Sequence, residues 1–476
     1  MWMKKGTGQL PGPLFHECGS DTIKKTRKKG RDLLLEKPFS LRQTALGISL
    51  EAIKTCSPEF FVRRYFTRAI QTGGLPFSLS ETPEIFLLSI GKAALPMAKA
   101  AGEALGWEKI EGLVVSRRQQ GNLEATIPLD LIRAGHPYPD ENSFLAGKTA
   151  VKKLKALKPG VPALFLVSGG ASSLFEYPQE GLTLQCLRRL TEKLLHSGAS
   201  IEEINKVRIG LSKVKGGRLL EVAGNRDSLT LILSDVVGDK MEAVGSGPTV
   251  PGTCNAAKEA IEVLGRYRLW SSLESKLRSL LERESENWKD KARSPRAFHE
   301  IIGNNRLLCE TAIEGLKKRG FNTLFLGSAI SGEAREIGRL MADIAKEILV
   351  SGNPVPKPAA VVSGGETVVS FNSDAGGIGG PNQEVALAFA IQAVDLPETV
   401  LVSIDTDGFD GPTPYAGGLA DGQTFGKIQG CCLDAREDLE RHNSGRSLYA
   451  ASALVVTGST ENNLNDLRIL LVGDPG

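Results

Sequence analysis

Seven aliphatic runs in this chain stop abruptly at a glycine or aspartate and open into small and polar residues. Five are clear. Ile85–Leu88 leads into Ser89-Ile90-Gly91-Lys92, and Leu164–Val167 into Ser168-Gly169-Gly170-Ala171-Ser172-Ser173. Leu231–Leu233 leads into Ser234-Asp235 and on to Gly238-Asp239, Ala360–Val362 into Ser363-Gly364-Gly365-Glu366, and Val400–Ile404 into Asp405-Thr406-Asp407-Gly408. Ile301–Gly303 and Ile132–Gly135 are weaker instances. Parallel strands covered on both faces read as continuous aliphatic runs. In open α/β sheets ligands collect just beyond the carboxyl ends of such strands. Glycine there lets the backbone close on an anion, and the helix that follows offers unpaired N–H groups. The pattern predicts a site for a phosphorylated small molecule.

Helical patterns lie between the runs. An amphipathic stretch begins at Leu41, with Ala45, Ile48, Ala52 and Ile53 on one face. Ser200-Ile201-Glu202-Glu203 is a capping box that predicts a helix with Ile204, Val207, Leu211 and Val214 as its apolar face. This alternation predicts the α/β class, with mainly parallel sheets and helices on both faces. A chain of 476 residues exceeds what one core usually supports. The charged, proline-containing stretch 282–295 divides it into residues 41–290 and 291–476, and a second proline-rich join lies at 353–358. Residues 1–40, with Lys24, Lys25, Arg27, Lys28, Lys29 and Arg31, read as a basic, solvated, disordered tail.

Composition narrows the partners. The 53 glycines suit a fold rich in strand-to-helix turns. A net charge of +3 gives no case for nucleic acid, and 6% aromatics gives none for base stacking. No apolar run is long enough for a membrane span, and no signal-peptide apolar region opens the chain. Seven scattered cysteines without a C-x-x-C pair fit a reducing compartment, the cytoplasm. The five histidines lack metal-ligand spacing. The expected partners are small molecules, with neither nucleic acid nor membrane, for a monomer or homodimer.

Familiar nucleotide motifs fail. Gly147-Lys148-Thr149 ends like a P-loop, but no strand leads into it and Asn142 stands where the earlier glycine should be. There is no G-x-G-x-x-G and no G-x-S-x-G. What remains is a different apparatus. The turn Ser168–Ser173 suits oxygens cradled by amides. Lys92 opens a helix, where it opposes the dipole and so sits at a cost unless it serves an anion. Lys206, Arg208, Lys215 and Arg218 gather around a Gly-Gly pair, a density that suits anion recognition. Asp235, Asp239, Glu366, Asp405, Asp407 and Asp410 cluster at three strand ends, where phosphoryl transfer would need Mg²⁺ ligands and a base. Gly245-Ser246-Gly247-Pro248-Thr249 reads as a rigid loop presenting amides and hydroxyls.

With these residues in order the chain resembles the glycerate 2-kinase family, also called the MOFRL family, whose older members were labelled hydroxypyruvate reductases. The resemblance spans about Leu41 to Val472. It rests on Gly91-Lys92-Ala93, Gly135-His136-Pro137, Ser168–Ser173, Asn205–Arg208, Lys215–Arg218, Ser234–Asp239 and Ser246–Thr249. Gly364–Thr367, Asn382–Glu384, Asp405–Thr413 and Asn465–Arg468 complete it. It implies two α/β domains with mainly parallel sheets and an active-site cleft between them, a Rossmann-like domain over 41–290 and a MOFRL domain over 291–476. It also implies ATP-dependent, Mg²⁺-assisted phosphorylation of D-glycerate to 2-phosphoglycerate. In that frame Lys92 is the catalytic lysine. The chemistry adds Asp235 and Asp407 as base or metal ligands, with Asp239 and Asp405 as further metal ligands. Ser168, Gly169, Gly170, Ala171, Ser172, Ser173, Gly238, Gly247, Thr249, Gly364, Gly365, Glu366 and Asn382 are the nucleotide- and phosphate-binding candidates. Lys206, Arg208, Lys215 and Arg218 are the substrate-binding ones.

Two motifs depart from the family pattern. Gly379-Gly380-Pro381-Asn382 replaces a usual Gly-Gly-Arg-Asn, which removes an expected cation and matches the reductase-labelled members. Gly458–Asn463 carries Glu461 where Gly-Pro-Thr-Gly-Thr-Asn is usual. An NAD(P)H-dependent hydroxypyruvate reductase is the alternative enzyme, against which the absent dinucleotide fingerprint counts. A non-catalytic nucleotide or sugar-acid binding protein is the other alternative, and mere binding would not require Lys92 together with the carboxylates.

Overall fold

The structure is a computed structural model. It describes residues 40–72, 74, 82–118, 127–250, 255–287, 296–370 and 376–475. The basic stretch before residue 40 and most of the join before residue 296 lie outside these.

All seven runs are strands. The first sheet contains β1 (Ile85–Ile90), β2 (Ile110–Arg117), β3 (Asp130–Ala134), β4 (Ala163–Val167), β5 (Ser228–Leu233) and β6 (Ala297–Gly303). It is wholly parallel in the order β3-β2-β1-β4-β5-β6. β1, β4 and β5 are buried at every position, which is why they lack polar alternation. The chain works outward from β1 to β3, then returns to the middle and works outward the other way from β4. The crevice between the ends of β1 and β4 is therefore the topological switch point, where such sheets hold ligands.

The second sheet contains β7 (Asn322–Glu333), β8 (Ala359–Val368), β9 (Thr399–Asp405), β10 (Gly417–Asp421), β11 (Leu454–Val455) and β12 (Asp466–Val472), in the order β11-β10-β9-β12-β8-β7. Two α/β domains are present as expected, but this sheet departs from the parallel reading. Only β7 and β8 run parallel, and the other neighbours are antiparallel. A strand covered on both faces shows the same aliphatic run whichever way its neighbours point, so the pattern was silent on direction. Because β12 is antiparallel to β8 and β9, its first residue, Asp466, lies level with Asp405 and Gly365.

The two sheets share apolar packing. Helix Leu41–Thr55 buries Ala45, Ile48, Ala52 and Ile53 as its pattern predicts. It packs on β9, β12 and helix Asn305–Lys318, on the second sheet rather than the first. Arg42 ties it to Asp421 of β10. β6, which lies past residue 290, is an edge strand of the first sheet. One continuous cluster runs from Leu164, Leu166 and Leu231 through Ile48 and Leu308 to Val402, Leu467 and Ile469. Helix Ile201–Gly210 carries the predicted capping box but stops at Gly210, so Lys213 and Lys215 fall in the turns beyond it. No helix among the described residues is long and apolar enough to cross a membrane.

Arg468 of β12 is wholly buried and bonds Asp466, Thr367 Oγ1 at 3.1 Å and the Gly364 carbonyl at 3.4 Å. Removing one partner of a buried ion pair leaves an uncompensated charge, so Arg468→Ala should lower unfolding stability by roughly 3–5 kcal/mol at neutral pH. Denaturant titration measures this; a loss below about 1 kcal/mol, the size of a surface pair, would contradict it.

Candidate active site

Lys92 follows β1 at the switch point. Its amide donates to the Gly169 carbonyl at 2.8 Å, and the Ala93 amide to Ser168 Oγ at 3.1 Å, so the turns after β1 and β4 are bonded to each other. Gly91, at φ +125°, is needed here because a Cβ would stand 2.2 Å from Ser168 Oγ. The Lys92 ammonium reaches across to the second sheet and meets Asp407 Oδ2 at 3.0 Å, both groups largely buried. Asp407 sits in the loop after β9. Its amide donates to Asp405 Oδ1 and its own Oδ1 accepts from the Phe409 amide, each at 2.9 Å. Arg117, the last residue of β2, is a second cation on this carboxylate, 3.8 Å from Oδ2. It donates to Ser459 Oγ at 3.2 Å and lies 5.3 Å from the centre of the Phe409 ring.

Asp235 approaches from β5. Asn463 Nδ2 donates to its Oδ2 and Asn465 Nδ2 to its carbonyl, both at 2.7 Å, again from the second domain to the first. Gly169 leaves room for it, since a Cβ there would fall 1.8 Å from Asp235 Oδ2. Burial raises the Asp235 carboxyl against the opposing pull of Lys92. Glu366 is open to solvent on one side but crowded by protein, and this crowding, then Asp466 and Asp235, raises its carboxyl too. Asp405 is pushed well above the usual carboxylate range by burial, then by Asp407 and Asp466. Negative charge is thus in surplus on this side.

The other wall is cationic. The ring of His136 stands 3.1 Å from where a Gly170 Cβ would be, beside the Lys92 side chain. Desolvation first, then Lys92 and Arg117, push the imidazole down to about 4, with Asp407 opposing and Arg208 adding to the fall. His136 is therefore neutral at physiological pH.

The remaining candidates divide. Ser172 Oγ pairs with Ser246 Oγ at 2.7 Å, joining the phosphate-type turn to the Gly245–Thr249 loop. Ser173 Oγ returns to the Gly170 carbonyl at 3.2 Å, and Ala171 is buried at the start of a short helix. Gly238 lies exposed in the loop after β5.

Several expectations need correction. Gly364 and Gly365 are inside β8, not in a turn after it; they admit Asn305 and Ile330, which a Cβ would meet at 1.7 and 2.2 Å. Asn382 is buried and its amide is already engaged by Asp466 Oδ1 at 2.7 Å and Ser403 Oγ at 2.6 Å, leaving nothing for a phosphate. Thr249 is fully buried and bonded to Thr230, and the Gly247 carbonyl accepts from the Gly217 amide at 2.7 Å. Lys206 is half-exposed and pairs with Glu259. Lys215 is buried against Glu176 at 2.7 Å and the Phe175 carbonyl at 2.9 Å. Arg218 is held by the Ile209 and Ser212 carbonyls and Glu284. Asp239 accepts from Asn304 at 2.6 Å. Each of these side chains already has a partner within the protein. Asp410 caps helix Pro381–Gln392 through the Asn382 and Gln383 amides, at 2.9 and 2.8 Å, while burial pushes it up to about 7. Among the described residues no group of three or more His, Cys, Asp or Glu is placed to hold a metal.

The residues missed as site members are Arg117, His136, Asn463 and Asn465. Arg117 ends a strand whose run closes in Ser-Arg rather than Gly or Asp, so the pattern passed over it. His136 lay inside a quoted motif and carried no charge cue.

A model described as a domain of unknown function, DUF4147, matches residues 44–282, and the MOFRL family model matches residues 359–466. The D-glycerate 2-kinase of Thermotoga maritima is 38% identical over 91% of this chain and 99% of its own. The glycerate 2-kinase of Pyrococcus horikoshii is 37% identical over 91% and 98%. The chain belongs to the glycerate 2-kinase (MOFRL) family. A glycerate kinase crystal structure from Thermotoga maritima superposes with a TM-score of 0.80 at 37% identity, covering 91% of this chain and 99% of that one. A relative from Agrobacterium vitis, 35% identical over 87% of this chain and 94% of its own, carries a provisional hydroxypyruvate reductase name.

The cationic wall makes a spectroscopic prediction. In a nitrogen-15 NMR titration His136 should take up its proton near pH 4, and Lys92→Ala should move that midpoint upward. A midpoint near the ordinary 6.5 in the unsubstituted protein would contradict the arrangement.

Proposed function

We propose that this protein is a D-glycerate 2-kinase, which transfers the γ-phosphoryl group of ATP to the 2-hydroxyl of D-glycerate. The observation that carries this reading is the meeting of Lys92 and Asp407 across the two sheets, beside Asp235 and the turn Ser168–Ser173. The absence of a dinucleotide fingerprint weighs against the reductase.

The acceptor oxygen attacks the γ-phosphorus. A new O–P bond forms while the bond from that phosphorus to the β–γ bridging oxygen breaks, and ADP leaves. The hydroxyl proton passes to Asp235, whose raised basicity suits it to the task better than Asp407, which is held by two cations. Lys92 moves from Asp407 to the transferring group and offsets its charge, while Arg117 keeps Asp407 paired. Amides of the Ser168–Ser173 turn face the phosphates.

The donor set fits Mg²⁺ in the manner usual for nucleotide enzymes, one or two carboxylates with phosphate oxygens and water completing the shell. Glu366 and Asp235, both raised by burial and Glu366 also by the charges of Asp466 and Asp235, are the residues that would face it. The ion would neutralise the β- and γ-phosphates. A preformed protein cage is not required.

Purified protein with ATP, Mg²⁺ and D-glycerate should yield ADP and 2-phosphoglycerate, separated from the 3-isomer by coupled detection. Lys92→Ala should lower kcat by about 10²–10³-fold with the fold intact. Hydroxypyruvate-dependent NADH oxidation without ADP formation would replace this reading with the reductase, and an unchanged rate in Lys92→Ala would remove the lysine from the mechanism.

A further inference from the structure

Arg208 differs from the other basic residues of its neighbourhood. Lys206, Lys215 and Arg218 each have an acidic or carbonyl partner, whereas the Arg208 Nε is buried and bonds nothing among the described residues. The carboxylate whose charge Arg208 feels, Glu176, is already filled. Ser212 Oγ donates to its Oε1 at 2.5 Å and Lys215 Nζ to its Oε2 at 2.7 Å. Lys215 also neutralises it. A buried guanidinium N–H left without an acceptor costs free energy until something supplies one.

Its position says what that should be. Arg208 lies in the last turn of helix Ile201–Gly210, and its charge reaches His136, which overhangs Gly170 next to Lys92. Three cations, Lys92, Arg117 and Arg208, act on this ring against one carboxylate, Asp407. Lys92 and Arg117 already share Asp407. One carboxylate cannot balance three cations, so this wall keeps surplus positive charge, and Arg208 adds to it without an ion-pair partner of its own among the described residues. A small anion entering the site is drawn to this wall.

We propose that Arg208, together with His136, anchors the carboxylate of the phosphoryl acceptor and so restricts acceptors to short 2-hydroxy carboxylates. The guanidinium offers a paired set of N–H donors matched to a carboxylate, and the neutral imidazole can add one more without adding charge. This inference rests on the kinase reading above for its kinetic test, but its binding test stands apart from turnover.

The test uses the full chain as wild type, Arg208→Gln and Arg208→Lys, with steady-state kinetics on D-glycerate and glycerol and calorimetric titration of D-glycerate alone. Arg208→Gln should raise KM for D-glycerate on the order of 10–100-fold, as loss of a charged hydrogen-bonded pair does, with KM for ATP changed less than about twofold. Arg208→Lys should recover part of the loss, since it keeps the charge but not the fork. Wild type should prefer D-glycerate to glycerol by at least about 100-fold in kcat/KM, and Arg208→Gln should narrow that ratio. A folded Arg208→Gln with unchanged KM for D-glycerate overturns the proposal, as does a wild type that uses glycerol equally well. If Arg208→Gln does not fold, the Arg208→Lys series and the wild-type preference decide. D-glycerate binding that depends on Arg208, in a protein without phosphoryl transfer, would uphold this subsite and sink the kinase reading. Absence of D-glycerate binding to the wild type would sink the subsite.

Discussion

A continuous apolar layer between two sheets sets every distance in the candidate site. Helices Leu41–Thr55 and Asn305–Lys318 fill the space between strands of the two domains, and their buried faces belong to one cluster with Leu166, Leu231, Val402 and Leu467. Close-packed interiors transmit position with little slack. The ends of β1, β4 and β5 are thereby held opposite the ends of β8 and β9 and the start of β12. Lys92 can meet Asp407, and Asn463 can meet Asp235, because that layer fixes the separation. The polar contacts across the seam ride on an apolar one.

Charge is sorted across this seam. Lys92, Arg117 and Arg208 act on a histidine that burial first, and then their fields, keep neutral. Asp235, Glu366 and Asp405 have carboxyls raised by burial, and the last two also by neighbouring carboxylates, so the protein alone does not balance them. A fold under selection for stability alone would not keep both surpluses, since each lowers stability. A ligand that carries negative charge at one end and arrives with a cation at the other would relieve both. That is the charge pattern of a sugar acid and a metal-bound nucleotide, and it matches the family to which the chain belongs.

The sequence made the carboxyl ends of strands legible and little else. Each of the seven runs is a strand, and Lys92, Gly169, Asp235 and Asp407 lie where those runs stop. β12 escaped this reading because it is antiparallel and offers the site its amino end, where Asn463, Asn465 and Asp466 precede the aliphatic residues. β7 escaped because it is an edge strand with polar positions along its length. Gly364 and Gly365 were misread because glycine marks close backbone approach inside a strand as readily as a turn after it. The basic cluster could not be resolved either. Whether a lysine or arginine is committed depends on partners distant in sequence, such as Glu259 for Lys206 and Glu284 for Arg218, and Arg208 is told apart only by what it lacks. Pro381 has a plain structural role at the start of its helix, where its missing N–H costs nothing.

The claim that the two domains act through one site turns on Lys92 and Asp407. A double-mutant cycle on kcat/KM for D-glycerate, built from Lys92→Met, Asp407→Asn and the pair, measures it directly. If the two form one unit, the double variant should be little worse than the poorer single variant, with a coupling of about 1–3 kcal/mol. Losses that simply add would show two residues working independently on separate surfaces, and the account of a shared site would fail.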